Sequence, residues 1–491
     1  MKSGKKFAVI GSGFSGLSAS AILASQGNEV HVYEKNSAIG GRARQFTAKG
    51  FKFDMGPSWY WMPDVIEKFY NKFGHTSSEF YELVKLDPGF KVIFDEGEEI
   101  SIPESWDKIC ELFEKIEEGS SKQLVKFMKG AKYKYDIGVN DLVYQPGLSI
   151  FELFRIDLLK GLFKMDVFSS FSSHVRKYFK DPRIIAIMEF PVLFLGAIPK
   201  KTPALYSLMN YTGLKTGTFY PMGGFSKVPE SMHKIAEKQG VTFHLNSNIE
   251  NILIDGNKVN QITNNGKTVN IDGLIATADY HHVEQDLLPK KFRNYSESYW
   301  QKRTFAPSSL IFYLGIDKKI PKLSHHNLFF DESFEQHAID LYTSKSWPNK
   351  PLFYTCCPSK TDSSVAPNGM ENLFVLIPIA TGLNDNEEIR EKYFKMIISR
   401  LEKYTKTNII NHVIYKRSYC ISNFTSDYNA YGGNAYGLAN TLMQTANFKP
   451  KIKNKKLTNL FYAGQLTVPG PGVPPSIISG EVAANELIKT C

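Results

Sequence analysis

Gly11, Gly13 and Gly16, in the stretch KFAVIGSGFSGL, and the carboxylate of Glu34 are the residues whose types and spacing first point to chemistry. Gly11 permits a tight turn, Gly13 lets backbone approach a pyrophosphate, and Gly16 lets a helix pack closely on a strand. Glu34 stands roughly twenty residues further on, where an acid accepts the hydroxyls of a ribose. Together they would bind a dinucleotide, with its phosphates at a helix N-terminus and its sugar at the acid. The elements that must position them can be read around them. Phe7 to Ile10 is an apolar strand, a helix runs to about Gly27, and EVHVYE alternates out to Glu34. A glycine motif alone would serve equally as a structural turn; here strand, helix and acid coincide in one βαβ unit.

The chain continues through Lys35 into NSAIGGRARQFTAKGFKFDMGPSWYW, which brings a second glycine pair, Gly40 and Gly41, then Arg42 and Arg44, then a short strand ending in DMGPS. A simple nicotinamide dehydrogenase would proceed to another βαβ unit, and this chain does not. Near the other end, FYAGQLTVPGPGVPPSIISG combines an apolar strand ended by Gly464, a dense Gly/Pro turn and a helix. Pro474 and Pro475 suit the first helical turn, where a missing N–H costs nothing. Ile478, Val482, Ala483 and Leu487 form the apolar face, and Gly480 permits close approach to a neighbouring helix. Such a helix points its amides at whatever occupies the turn.

The bulk numbers bound these readings. At 491 residues, with 42% hydrophobic and 22% charged content, the chain is a soluble-type sequence too long for one core. A net charge of +10 favours an anionic partner, nucleic acid or an acidic bilayer. No clustered basic and stacking residues on a recognisable module support nucleic acid. Aromatic content of 13% suits large cores or a cavity for a big apolar ligand. Cys110, Cys356, Cys357, Cys420 and Cys491 form no disulfide or zinc pattern, which implies a reducing cytoplasm. The pairs His281/His282 and His325/His326 lack metal-ligand spacing and read as surface or core residues. The glycine-interrupted N-terminus leaves no room for a signal peptide, and the longest apolar run, 184–199, contains Glu189 and Pro191 and is too short to span a membrane.

The middle of the chain, from about Glu79 to Thr216, reads as helix-rich, aromatic and basic. Its segment from Phe154 to Pro182 is either an ordinary amphipathic helix facing the core or an interfacial helix that dips aromatics into lipid. After it, Gly223 and Gly224 precede a helix, VTFHLNS is a strand, NNG at 264–266 is a hairpin turn and DGLIATAD is a buried strand. SSLIFYLGI and ENLFVLIPIA would build a second sheet, and Glu387 to Tyr404 is a charged packing helix.

GSGFSGL, YEKNSAIGGRARQ, FDMGPSWYWMP, FYPMGGFSKVPESM and the C-terminal Gly/Pro loop resemble the bacterial-type phytoene desaturases, within the carotenoid desaturase family of the FAD-dependent amine oxidase superfamily. The resemblance spans both ends and the middle of the chain. It implies an α/β fold: a discontinuous Rossmann-like FAD-binding domain of glutathione-reductase type at 1–78, 217–300 and 456–491. An inserted α+β substrate and membrane-associating domain would occupy 79–216 and 301–455. It implies FAD contacts from Gly11, Ser12, Gly13, Phe14, Ser15 and Gly16 in the first turn, and from Glu34, Lys35, Gly41 and Arg42. It adds Met55, Gly56, Pro57 and Ser58, with Ile249 beside the adenine, and Gly464, Gln465, Gly472, Val473 and Pro474 in the closing loop. Gln465 stands where many amine oxidases carry an acid, which favours a desaturase, and the loop is richer in proline than usual. The implied reaction is oxidation of phytoene, most simply to lycopene, by hydride transfer to flavin with loss of a proton. Oxygen or a quinone would be the terminal acceptor, and the enzyme would sit on the cytoplasmic face of a membrane. No catalytic base is assigned; Arg155 and Asp157 are weak candidates. The alternatives are a later carotenoid desaturase, a carotene isomerase, a soluble amine oxidase, or a prenyl-binding protein that has lost its flavin, against which the intact Gly11, Gly13, Gly16, Glu34 and Gly464 argue.

Overall fold

The computed structural model describes residues 4–140, 142–148, 169–194, 196 and 198–491. Five short strands build a wholly parallel sheet: β1 (Lys6–Ile10), β2 (Glu29–Tyr33), β3 (Thr242–His244), β4 (Gly273–Ala276) and β5 (Leu460–Tyr462). Their order across the sheet is β5-β4-β1-β2-β3. Chain segments hundreds of residues apart are therefore brought into register, with Val9 opposite both Val32 and Ile275, and Ile275 opposite Phe461. These strands are apolar on both faces because helices cover the sheet. Helices α1 (Phe14–Ser25), α2 (Lys227–Lys238) and α3 (Val473–Thr490) are packed into one core with β1 and β2.

Two contacts set the layer on which a ligand would rest. A Cβ on Gly16 would lie 2.0 Å from the Gly11 carbonyl oxygen, so α1 sits directly on the first turn. A Cβ on Gly480 would lie 2.1 Å from the Ser15 carbonyl oxygen, so α3 in turn lies on α1. A three-stranded antiparallel meander, Ile249–Asp255, Lys258–Asn264 and Lys267–Asn270, hangs from this layer. Its second hairpin closes through Asn265 and Gly266, with φ of 48° and 71°, the left-handed pair that a two-residue hairpin turn requires.

A seven-stranded mixed sheet forms the second body. Its spatial order is Val413–Tyr419, Ser308–Ile316, Glu371–Ile379, Phe353–Cys356, His326–Phe329, Phe90–Ile93 and Glu99–Ile102. The last two strands lie in a stretch that the sequence reads as helix-rich. They join the sheet because Leu328 and Phe329 offer a parallel edge to Val92 and Ile93. The first half of the helix read over Phe154 to Pro182, including Arg155 and Asp157, lies outside the described residues; in the described half, Phe171–Val175 is a short helix. The apolar run near Ile184 is the helix Pro182–Phe194, with Pro191 inside it. Among the described residues no helix is long and apolar enough to cross a membrane.

Candidate functional site

A cleft of about 1120 Å³ opens at the C-terminal ends of β1, β2, β4 and β5. This is where an open α/β sheet places ligands, because strand ends and helix N-termini present free backbone groups there. Gly11, Gly13, Phe14, Ser15, Glu34, Lys35, Gly41, Arg42, Ile249, Gly464 and Gln465 all line it. The backbone is kept open where a phosphate would pass: a Cβ on Gly41 would lie 3.1 Å from the Gly13 Cα. Gly13 caps α1, so the first amides of that helix face the same space.

Glu34 is buried and organises the turn. Its Oε2 accepts from the Ser12 amide at 2.9 Å and the Ser12 hydroxyl at 2.8 Å, and its Oε1 accepts from the Asn36 amide at 2.9 Å. Ser12 thus lies behind the cleft wall as a support for Glu34, and Gly16 lies beneath it as the helix contact. Lys35 turns toward the second body and donates to the Ser426 carbonyl at 2.7 Å. Burial lowers its pKa, opposed by the nearby Asp427.

The half-buried guanidinium of Arg42 lies 4.8 Å over the Tyr428 ring and donates to the Asn434 carbonyl at 3.1 Å. Its Nε is enclosed and has no partner among the described residues. Burial lowers its pKa from the ordinary arginine value, with Tyr428 and then Asp279 opposing. Arg44, by contrast, is tied to Asp427 at 2.7 Å. A cation with an unpartnered Nε, a glycine-lined cradle and a helix N-terminus form a donor set suited to a dinucleotide cofactor with anionic phosphates.

Gly464 ends β5, its amide donating to Ser479 Oγ at 3.0 Å, and the side-chain amide of Gln465 packs against Asn434. Gly472 caps α3 at φ 116°, a left-handed conformation open to glycine. Gly472, Val473 and Pro474 stand at the helix start without lining the cleft; Ser476, one turn in, lines it. Met55, Gly56, Pro57 and Ser58 do not line the cleft, and of them Gly56 lies against Arg42. The Gly56 backbone abuts it, a Cβ there falling 2.6 Å from the Arg42 carbonyl oxygen, and the Met55 carbonyl accepts from Tyr313 at 2.7 Å. Gly56 and Ser58 line a small adjoining void with Tyr220 and Cys356.

Sequence reasoning missed Asp279, Thr277, Ser247 and the run Asp427, Tyr428 and Asn429, all of which line the cleft. Asp279 follows β4 in ATAD, and its place at a strand's C-terminal end is a signal that could have found it. It caps the next helix by accepting from the His281 amide at 3.0 Å, and burial raises its pKa. The run at 427–429 comes from the second body and carries no local signal. His325 and His326 are core residues, with imidazoles that burial holds neutral; the pKa of His325 is pushed down to about 3. Their donor atoms and the Cys356 thiol come within 4.8 Å of one another, and burial pushes that thiol up to about 12.

A second cavity, of about 790 Å³, lies in the mixed-sheet body and is walled by apolar and aromatic side chains, among them Phe190, Leu328, Phe330, Phe334, Tyr354 and Tyr436.

Comparison with known proteins decides the family. The flavin containing amine oxidoreductase family matches residues 14–488. The carotenoid 3,4-desaturase of Haloarcula japonica is 36% identical over 99% of both chains. The zeta-carotene-forming phytoene desaturase of Myxococcus xanthus is 28% identical, covering 99% of this chain and 94% of that one. The chain belongs to the carotenoid desaturase family of flavin-dependent oxidoreductases. Its cofactor is FAD. Among solved structures, putrescine oxidase bound to putrescine aligns with a TM-score of 0.62 over 99% of both chains at 13% identity, a likeness of fold. The desaturase is thus an FAD-dependent oxidoreductase on a Rossmann-like scaffold.

Proposed function

We propose that this carotenoid desaturase acts on phytoene, oxidising it in successive cycles to lycopene, and that the FAD lies in the cleft at the C-terminal ends of the parallel strands. The observation that carries the reading is the coexistence of a dinucleotide cleft with a separate aromatic-walled cavity, in a chain aligned end to end with carotenoid desaturases. Bound FAD supplies a hydride acceptor. The chain does the rest. Glu34 would hold the ribose, the α1 amides and Arg42 the phosphates, and the first turn of α3, where Ser476 lines the cleft, would offer positive potential to the bound cofactor. The apolar cavity holds the polyene, excludes water and presents one C–C bond at a time.

A second reading is favoured by the higher identity to the Haloarcula japonica protein: a later desaturation of a carotenoid that is already conjugated. One experiment separates the two. Phytoene is supplied in liposomes with FAD-loaded protein, under air and separately with a quinone, and visible absorption is followed. Rising absorption supports phytoene as substrate. Phytoene left colourless while a coloured carotene shifts to longer wavelength moves the assignment to the later step.

We further propose peripheral association with anionic membranes, supported by the +10 charge and by exposed Leu442, Met443 and Phe448 on one loop. A substrate dissolved in lipid has to be drawn from a bilayer.

A further inference from the structure

Desaturation removes a hydride and a proton, and the roles derived above leave the proton without an acceptor. Hydroxyl and imidazole groups run in a file out of the segment that backs Arg42. Ser58 Oγ lies 2.9 Å from Tyr354 Oη, and Tyr354 Oη lies 2.6 Å from His326 Nδ1. Ser58 is the half-buried end, beside Gly56; His326 is fully buried. Tyr354 also forms part of the wall of the apolar cavity, so the file reaches the space assigned to the polyene. We propose that Ser58, Tyr354 and His326 form a relay that takes the proton lost by the substrate.

The hydrogen-bond directions are consistent with that task. With the Ser58 hydroxyl donating to Tyr354 and the Tyr354 hydroxyl donating to His326 Nδ1, the imidazole carries its own hydrogen on Nε2. That atom has no partner among the described residues. The ring is held in place by Trp59, stacked on it at 4.2 Å with 10° between the planes. His326 is faced by His325, at 4.5 Å between ring centroids, and by Tyr354 and Cys356; Asp362 acts on His325 and Asp54 on Cys356. Burial, with His325 beside it, holds His326 far below the usual imidazole range, so Nδ1 stays open to a proton throughout neutral pH. A weak base is sufficient, because a C–H bond beside an allylic cation is strongly acidic.

The step balances. One substrate C–H bond gives its hydrogen and electron pair to the flavin, and the electrons of the neighbouring C–H bond become the new double bond. The proton of that second bond passes to Tyr354 Oη as the Tyr354 proton moves to His326 Nδ1, with the Ser58 hydroxyl donating to Tyr354 throughout. Oxygen or a quinone would take the two electrons from bound FAD, and the proton held at His326 would leave back through Tyr354 to complete the reduced acceptor. Tyr354, in the wall of the apolar cavity, is the residue that touches substrate; His326 acts through it, and Ser58 is a positioning residue that holds the Tyr354 hydroxyl.

The inference rests on the desaturation reading, and its test keeps the two apart. Wild type, S58A, S58T and Y354F are loaded with FAD, and anaerobic bleaching of the flavin by phytoene or a coloured carotene in liposomes is timed. Y354F should be slowed by roughly 10²–10⁴-fold and S58A by a smaller but measurable factor, with FAD affinity unchanged in both, and S58T should recover most of the S58A loss. Deuterium at the proton-losing carbon should slow Y354F more than wild type. Independently of turnover, histidine-labelled ¹⁵N spectra should show His326 Nδ1 unprotonated and hydrogen-bonded, and the signal should move in Y354F. Wild-type bleaching rates in S58A and Y354F, or a hydrogen on His326 Nδ1, would overturn the relay alone. If wild type is bleached by no carotenoid, the desaturation reading falls and the relay falls with it.

Discussion

Glu34 spends its carboxylate on its own chain, holding the Ser12 amide and hydroxyl on one oxygen and the Asn36 amide and side chain on the other. A ribose hydroxyl must share those acceptor sites, so the acid has two roles: it shapes the glycine turn and it receives the sugar. Glu34→Ala should therefore weaken FAD binding by about 1.5–3 kcal/mol, or roughly ten- to a hundredfold. Titration of apoprotein with FAD measures this, and unchanged affinity would reduce Glu34 to a support for the turn. Lys449 makes a second test at this scale. It is 2% exposed, its Nζ donates to Asn440 Oδ1 at 3.0 Å, and it has no carboxylate partner among the described residues. Burial pushes its pKa down to about 7 from 10.5. Between those values the unfolded chain binds a proton that the folded one does not, so this group's contribution to stability rises as pH rises from 7 toward 10.5 and is lost as pH falls. Lys449→Met should raise the melting temperature most near pH 7, by an amount worth roughly 1–4 kcal/mol, and flatten the profile above it. An equal shift at pH 7 and pH 10 would contradict the assignment.

At the scale of elements, the close stacking of α3 on α1 is the contact most open to attack. Gly480→Ala places a Cβ against the Ser15 carbonyl and must part the two helices whose N-termini flank the cleft. Overpacking of this kind costs roughly 1–3 kcal/mol, and here it should also lower FAD retention, which thermal unfolding and flavin content would measure together. This helix pair was legible in the sequence because Gly16, Gly480, Pro474 and Pro475 act locally: each fixes a turn or a close approach whatever the rest of the chain does. The strands Phe90–Ile93 and Glu99–Ile102 were not. They are short and pair with each other as a small hairpin, but the strand that ties them to the sheet begins at His326, far outside any local window. The site divides in the same way. Gly11, Gly13 and Glu34 follow from one βαβ unit, whereas Asp427, Tyr428 and Asn429 reach the cleft only because the second body folds over Lys35 and Arg44. The Ser58, Tyr354 and His326 file joins residues nearly 300 positions apart in the sequence and leaves no local trace, since a single buried histidine more often satisfies a core than serves a reaction.

The whole molecule combines a basic balance with an exposed apolar region around Met443. Met443 is 65% exposed, and Leu442 and Phe448 stand beside it on the same loop. That loop is tied to the end of the described stretch 142–148: Lys451 Nζ donates to the Gly147 carbonyl at 2.5 Å and to the Asn447 carbonyl at 3.2 Å, and Leu148 is exposed next to Gly147. Isolated exposed apolar side chains need no explanation, but four on adjoining loops, in a chain of net charge +10, are suited to docking on an anionic bilayer. The two contributions respond differently. The electrostatic attraction is screened as salt shortens the Debye length, whereas insertion of Met443 and Phe448 is not. Flotation with anionic vesicles should therefore carry the protein at low salt and release part of it at high salt. Met443→Glu with Phe448→Glu should weaken partition at both, by roughly a hundredfold if each side chain contributes roughly 1.5 kcal/mol of burial. Neutral vesicles should hold less wild type than anionic ones at low salt and about as much at high salt. Failure of wild type to float at low salt would leave this surface without a lipid partner, and a double variant that floats like wild type would place the contact elsewhere on the chain.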